Sequence, residues 1–203
     1  KMAFLAPGLS ADVVLLDPTL TLSCPREVTA ASGLDTLTHA VEVAVTTRGT
    51  AKSDALARSA FSRAQGALPR VLNDLNDIEA RGHMQQAAYD AGCAIAHSML
   101  GAAHAAGNAL TARFGTPHGF AVGEMLPIVV AYNAQDDAIA QRYASLAHTA
   151  GLERSVEGLI DRLESLLTQA LPQRTTLAPD DIPRLAIEAA SQWTGTFNPR
   201  PMD

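Results

Sequence analysis

From Pro25 onward the sequence is a succession of alanine-rich segments of helix length, separated by Gly, Pro, Asn and Asp. Alanine is the strongest helix former, whereas strands favour aromatic and β-branched residues. Aromatics make up only 4% of the 203 residues while hydrophobic residues make up 47%, so a large core is available for closely packed helices but not for a β-sandwich. The spacing of apolar positions predicts helices over residues 29–46, 53–73, 84–100, 100–114, 118–132, 136–149, 156–171 and 182–193. Gly115-Thr116-Pro117 reads as a stop-and-start signal: Gly115 ends one helix, Thr116 caps the next, and Pro117 lies in its first turn. Pro127 predicts a kink, and Asp180 or Asp181 followed by Pro183 predicts the start of the last helix.

One segment breaks this pattern. Val13-Val14-Leu15-Leu16, closed by Asp17-Pro18, predicts a short buried strand. A lone strand is not stable by itself. Its partners are therefore expected upstream of Lys1, and the chain reads as a piece of a longer protein cut at both ends. The expected fold is mainly α, bundle-like, with one remnant strand and a division after residue 24.

The formal net charge of −6, with no run of Lys or Arg, argues against a nucleic-acid partner. No apolar stretch is long enough to span a membrane, and the first residues lack the charged-then-apolar order of a secretory leader. Cys24 and Cys93 form no C-x-x-C pair and read as free thiols of a reducing cytoplasm.

Chemistry concentrates on a few polar residues in apolar surroundings. Asp35 and His39 are four residues apart, which on a helix puts both on one face beside Leu34, Leu37, Ala40 and Val41. Taken alone they make a hydrogen-bonded pair or a helix-end feature. His104 stands among Gly and Ala, where a lone core histidine is the plain reading, and His118 could be a solvated first-turn residue. Together, one carboxylate and three imidazoles form a donor set suited to Fe²⁺ or Zn²⁺. Such a site does Lewis-acid work on an alcohol or carbonyl oxygen.

These residues resemble the iron-containing alcohol dehydrogenase family. The resemblance runs through Asp17-Pro18-Thr19-Leu20, Thr29-Ala30-Ala31-Ser32-Gly33-Leu34-Asp35-Thr36-Leu37-Thr38-His39-Ala40-Val41-Glu42, His104, Gly115-Thr116-Pro117-His118-Gly119, Leu126-Pro127, Asn133 and Asn198-Pro199-Arg200-Pro201. It implies a helical metal-binding domain over residues 25–203, its last helix missing. Residues 1–24 would be a remnant of an N-terminal α/β nucleotide-binding domain, whose glycine-rich phosphate loop is not in this chain. It implies Asp35, His39, His104 and His118 as ligands of Fe²⁺ or Zn²⁺, with His104 and His118 acting in catalysis and Ile95 and Asn108 near the nicotinamide of NAD(P). The implied reaction is hydride transfer between an alcohol and an aldehyde or ketone, in a cytoplasmic homodimer. Many members carry a histidine four residues after the ligand that matches His104. Here Asn108 stands in its place, and an amide cannot shuttle a proton near neutral pH. His97 is a candidate substitute, while His83 and His148 read as surface residues. Two rivals remain: a metal-independent relative of the maleylacetate reductase type, and a truncated non-catalytic module for metal binding or dimerisation.

Overall fold

The computed structural model describes residues 11–171 and 173–202. The first ten residues, which include the predicted leader-free start, together with Pro172 and Asp203, lie outside the described residues. Eight α-helices follow one another among them: α1 (Arg26–Val43), α2 (Ala51–Asn73), α3 (Ile78–Ala96), α4 (Ala102–Phe114), α5 (His118–Asn133), α6 (Asp137–Thr149), α7 (Val156–Ala170) and α8 (Ile182–Ala190). Short 3-10 turns lie at Pro18–Thr21, Pro179–Asp181 and Trp193–Phe197.

α1 is the central element. It packs against α2, α3, α4, α5 and α7, and Ala30, Leu34, Leu37, Ala40, Val41 and Val43 are all sealed from solvent. Where the helix is buried, it must satisfy its polar side chains internally. Thr36 and Thr38 do so by donating to the carbonyls of Ser32 and Leu34, one turn back. Around α1 the main core gathers Phe61, Leu68, Tyr143, Leu146, Leu159, Leu163, Leu166 and Leu167 from α2, α6 and α7.

The local rules explain where the helices begin and end. Thr50 and Ser53 form a reciprocal capping box, so α2 starts at Ala51, ahead of the predicted Ser53. Asp77 accepts from Ala80 N–H and starts α3 at Ile78, six residues before the predicted start at Met84. α3 runs unbroken through Gly92 and stops at Ala96, short of the predicted Leu100. Gly115 ends α4 in the left-handed conformation (φ 67°), as predicted. Thr116 does not cap α5. Pro117 holds the N-cap position without a side-chain bond, and the Thr116 hydroxyl instead lies 3.3 Å from that of Thr175. α5 continues through Pro127. Asp181 precedes α8 without a capping bond and faces Arg113 at 3.7 Å.

The predicted strand is not formed. Residues 13–16 carry no strand pairing among the described residues, and Val13 and Leu15 are 76% and 89% exposed. A strand needs a neighbouring strand for its backbone groups, and every other described element is helical.

Small residues set how closely α1, α4 and α5 approach. A Cβ at Gly119 would stand 1.9 Å from the Ala31 carbonyl oxygen of α1, and one at Gly107 would stand 2.9 Å from Val122 N of α5. Both neighbours are backbone and cannot turn aside. Substituting Gly119→Ala should therefore force α5 off α1 and destabilise the chain by about 1–3 kcal/mol, measured by urea unfolding. Stability equal to the parent chain would show that the α1–α5 spacing is not tight.

Candidate metal centre

Three helices deliver the four residues singled out in the sequence. α1 carries Asp35 and His39 one turn apart, α4 carries His104 in its first turn, and α5 begins at His118. One atom, Asp35 Oδ1, gathers the imidazoles: His39 Nε2 and His104 Nε2 each lie 3.3 Å from it, and His118 Nε2 lies 3.6 Å away. The His39 and His104 rings stack with centroids 4.7 Å apart, and the His104 and His118 rings are tilted at 5.4 Å. Asp35, His39 and His104 offer ligand-type atoms all within 4.8 Å of one another.

The spacing fits a common point better than a hydrogen-bonded cluster. Asp35 Oδ1 and His104 Nε2 are both buried, and despite their proximity neither makes a hydrogen bond. A buried unsatisfied polar atom costs about 1–3 kcal/mol, so an orphaned pair aimed at one place needs a partner there. Two donors each about 2.0–2.1 Å from one tetrahedral ion stand about 3.3–3.4 Å apart, the separation seen here. The donor set, one carboxylate oxygen and imidazole nitrogens, has the chemistry of Fe²⁺ or Zn²⁺ sites.

A residue missed as functional in the sequence holds His104 in place. Glu42, on α1 two turns after Asp35, is buried. Its Oε2 lies 2.6 Å from His104 Nδ1, and its Oε1 accepts from the backbone N–H groups of Ala103 (2.6 Å) and His104 (3.1 Å). Asn198 Oδ1 accepts from Ala102 N–H at 3.3 Å. The first three N–H groups of α4 are thus satisfied by residues distant in sequence. Gly101, the N-cap residue, has no side chain to do it, and a Cβ there would meet both Asn198 and Glu42 at 3.1–3.2 Å.

The Asn198-Pro199-Arg200-Pro201 segment is a clamp. Asn198 and Asn133 exchange side-chain hydrogen bonds (2.8 and 3.1 Å), and Asn133 also donates to the buried Tyr143 hydroxyl at 3.1 Å. Arg200 stacks 4.1 Å from the Tyr132 ring centre and donates to the Tyr132 carbonyl and to Gln135.

The centre opens into a cavity of about 560 Å³, lined by the four residues together with Leu100, Asn108, Thr111, Gln192, Trp193 and Thr194. Asn108 lies one helical turn beyond His104, on the same face of α4. Ile95 does not line this cavity; it packs with Val43, Ala57 and Ala94. His97 is exposed at the C-cap of α3, away from the cavity lining. His83 faces Glu79 at 3.9 Å on the surface, and His148 sits exposed in the last turn of α6.

Electrostatics divide the histidines. Burial pushes Asp35 up, but the facing His104, His39 and His118 outweigh it and hold the carboxyl at about 2. Burial, joined by the neighbouring His104, lowers His39 to about 4. Burial would also lower His104, but Glu42 and Asp35 on its two sides outweigh this and raise it to about 9.

A helical domain with a convergent Asp–His centre is what these features define. The chain belongs to the Fe-containing alcohol dehydrogenase family, whose C-terminal model matches residues 29–203. It is 34% identical to the 1-propanol dehydrogenase PduQ of Citrobacter freundii, over 97% of this chain and 57% of that protein. It is 32% identical to long-chain-alcohol dehydrogenase 1 of Geobacillus thermodenitrificans, over 93% and 55%. Among solved structures it superposes on the iron-containing alcohol dehydrogenase of Thermococcus thioreducens with TM-score 0.87 and 29% identity, covering 97% of this chain and 52% of that one. It also superposes on the sulfoacetaldehyde reductase of Bifidobacterium kashiwanohense, solved in complex with NAD+, with TM-score 0.84 and 28% identity, covering 92% and 50%. The chain spans about half the length of the curated relatives it matches.

The raised His104 has a stability consequence. A group whose folded value lies above its ordinary one stabilises the fold below about pH 6.5, and that contribution fades as pH rises toward about 9. The metal-free chain, kept in chelator, should therefore lose part of its unfolding free energy between these limits, and His104→Gln should flatten the slope. An equal slope in both, by denaturant unfolding at several pH values, would remove His104 as its source.

Proposed function

We propose that this chain supplies the metal-holding half of a metal-dependent, NAD(P)-linked alcohol dehydrogenase, with Asp35, His39, His104 and His118 as ligands. The observation that carries the reading is the convergence of three imidazole Nε2 atoms within 3.3–3.6 Å of one buried, hydrogen-bond-orphaned carboxylate oxygen. Bound Fe²⁺ or Zn²⁺ supplies Lewis acidity toward an alcohol or carbonyl oxygen, and NAD(P) supplies the hydride acceptor or donor.

The chain's own residues do the positioning. His104 is fixed from behind by Glu42, and His118 is brought in by the tight α1–α5 approach at Gly119. Leu100, Ala112 and Trp193 give the cavity apolar wall, which suits the carbon skeleton of a small alcohol or aldehyde. Asn108 is the residue that the cavity offers to a nicotinamide or substrate group, through hydrogen bonds and not by proton transfer.

In the same reading, residues 1–24 are the end of an upstream nucleotide-binding α/β domain and residues 25–203 the helical domain. The exposed apolar run Val13–Leu16 supports this, because it has the composition of a buried strand and lies uncovered here. A cytoplasmic homodimer is the setting we propose. The free thiols of Cys24 and Cys93 fit a reducing compartment, and no helix among the described residues is long and apolar enough to cross a membrane.

Elemental analysis tests the reading. The chain purified without added metal, or reconstituted with Fe²⁺ or Zn²⁺, should carry about one ion, and His104→Ala should carry almost none while keeping its helical circular dichroism. No metal in the parent chain even after reconstitution would overturn the ligand assignment and favour the metal-independent reductase type.

A further inference from the structure

Glu42 belongs to neither the four-residue centre nor the cavity lining, yet it is a buried acid with both of its oxygens engaged. Its side chain is 3% exposed, and it meets three N–H-type donors, with no ion pair to Lys or Arg among the described residues. A carboxylate taken out of water costs several kcal/mol unless hydrogen bonds and opposite charge compensate it. A glutamate kept only for packing would be disfavoured at such a position, so its contacts must explain it.

Those contacts join two things usually separate. One oxygen receives the first-turn N–H groups of α4, where the helix dipole also favours negative charge. The other oxygen faces Nδ1 of the imidazole carried by that same turn. A carboxylate can only accept, so Nδ1 must carry a proton. With Nδ1 as the donor, the neutral ring presents its Nε2 lone pair, and Nε2 is the atom aimed at Asp35 Oδ1. The backbone contacts fix where the ring stands, and the Nδ1 contact fixes which nitrogen becomes bare when the ring gives up a proton to bind an ion.

We infer that Glu42 is a positioning residue for the metal centre: it ties the start of α4 to the ring of His104 and sets the Nδ1–H form that leaves Nε2 free to bind a divalent ion. The inference rests on the ligand reading proposed above. It also fits the charge balance, since Asp35 and Glu42 together offset the two positive charges of such an ion.

The test compares Glu42→Gln with Asn198→Ala. Glutamine has nearly the same shape, but one of its two heads is a donor. Whichever way the amide turns, it confronts either Nδ1–H or the α4 N–H groups with another N–H. Asn198→Ala removes a neighbouring cap of α4, at Ala102, without touching the imidazole. Zn²⁺ and Co²⁺ dissociation constants are measured on the full chain by competition with a chromophoric chelator, with circular dichroism as the check on folding. Glu42→Gln should weaken binding about 10–100-fold, and Asn198→Ala less than about threefold, although it lowers the melting temperature. In the Zn²⁺-loaded parent chain, ¹⁵N NMR should show His104 with a hydrogen-bonded Nδ1–H.

Equal losses in the two variants would reduce Glu42 to a helix cap, and unchanged affinity in Glu42→Gln would overturn the inference. If Glu42→Gln does not fold, the NMR of the parent chain decides: a zinc-bound Nδ1 overturns it. A parent chain that binds neither ion fails the ligand reading itself, a result distinct from all of these.

Discussion

The rest of this structure depends on α1 being closely approached by several helices at once. A helix that carries Asp35, His39 and Glu42 can place them in the interior only if its neighbours come close enough to meet them. Gly119 lets the start of α5 rest against the α1 backbone, and Gly107 lets α4 rest against α5. Three helices then share one small volume, and His118 and His104 reach the oxygen of Asp35 that already faces His39. A side chain larger than hydrogen at these crossings would meet backbone atoms of the neighbouring helix and push apart the helices that carry the donors.

The polar interior and the helix ends share partners. Glu42 satisfies backbone groups of α4 and orients its imidazole. Asn198 caps the same helix and bonds to Asn133, which bonds to Tyr143. The C-terminal segment is therefore connected through Asn198 to the helix that carries His104, and through Asn133 to α5 and α6. Burial of these groups is tolerable because they satisfy one another, whereas Asp35 Oδ1 and His104 Nε2, which have no hydrogen-bond partner, sit together at the centre.

Much of this was legible in the sequence, for identifiable reasons. The i, i+4 spacing of Asp35 and His39 and the isolation of His104 among Gly and Ala are local signals, and periodicity found all eight helices. Helix starts set by one capping residue, such as Asp77 and Thr50, were misplaced by a few residues because the apolar pattern begins later than the backbone turn. The Val13–Leu16 run was read as a strand because composition reports what a segment prefers and not whether a partner is present. Glu42 was passed over as one acid in a helix; its importance lies in a contact with a residue 62 positions away, which no local pattern encodes. Asn198 and Arg200, read as a loop, owe their role to equally distant contacts. Ile95 was singled out on resemblance alone, and its neighbours here are α1 and α2.

The chain contains a single tryptophan, Trp193, and it stands in the wall of the cavity, edge-on to Phe197 at 5.9 Å and half open to solvent. An indole in that setting has an emission sensitive to the polarity of its surroundings, and no second indole contributes background. Whatever enters beside His118 and Asn108 changes the water around this one fluorophore. The molecule thus carries its own optical gauge of occupancy, without a label and without turnover.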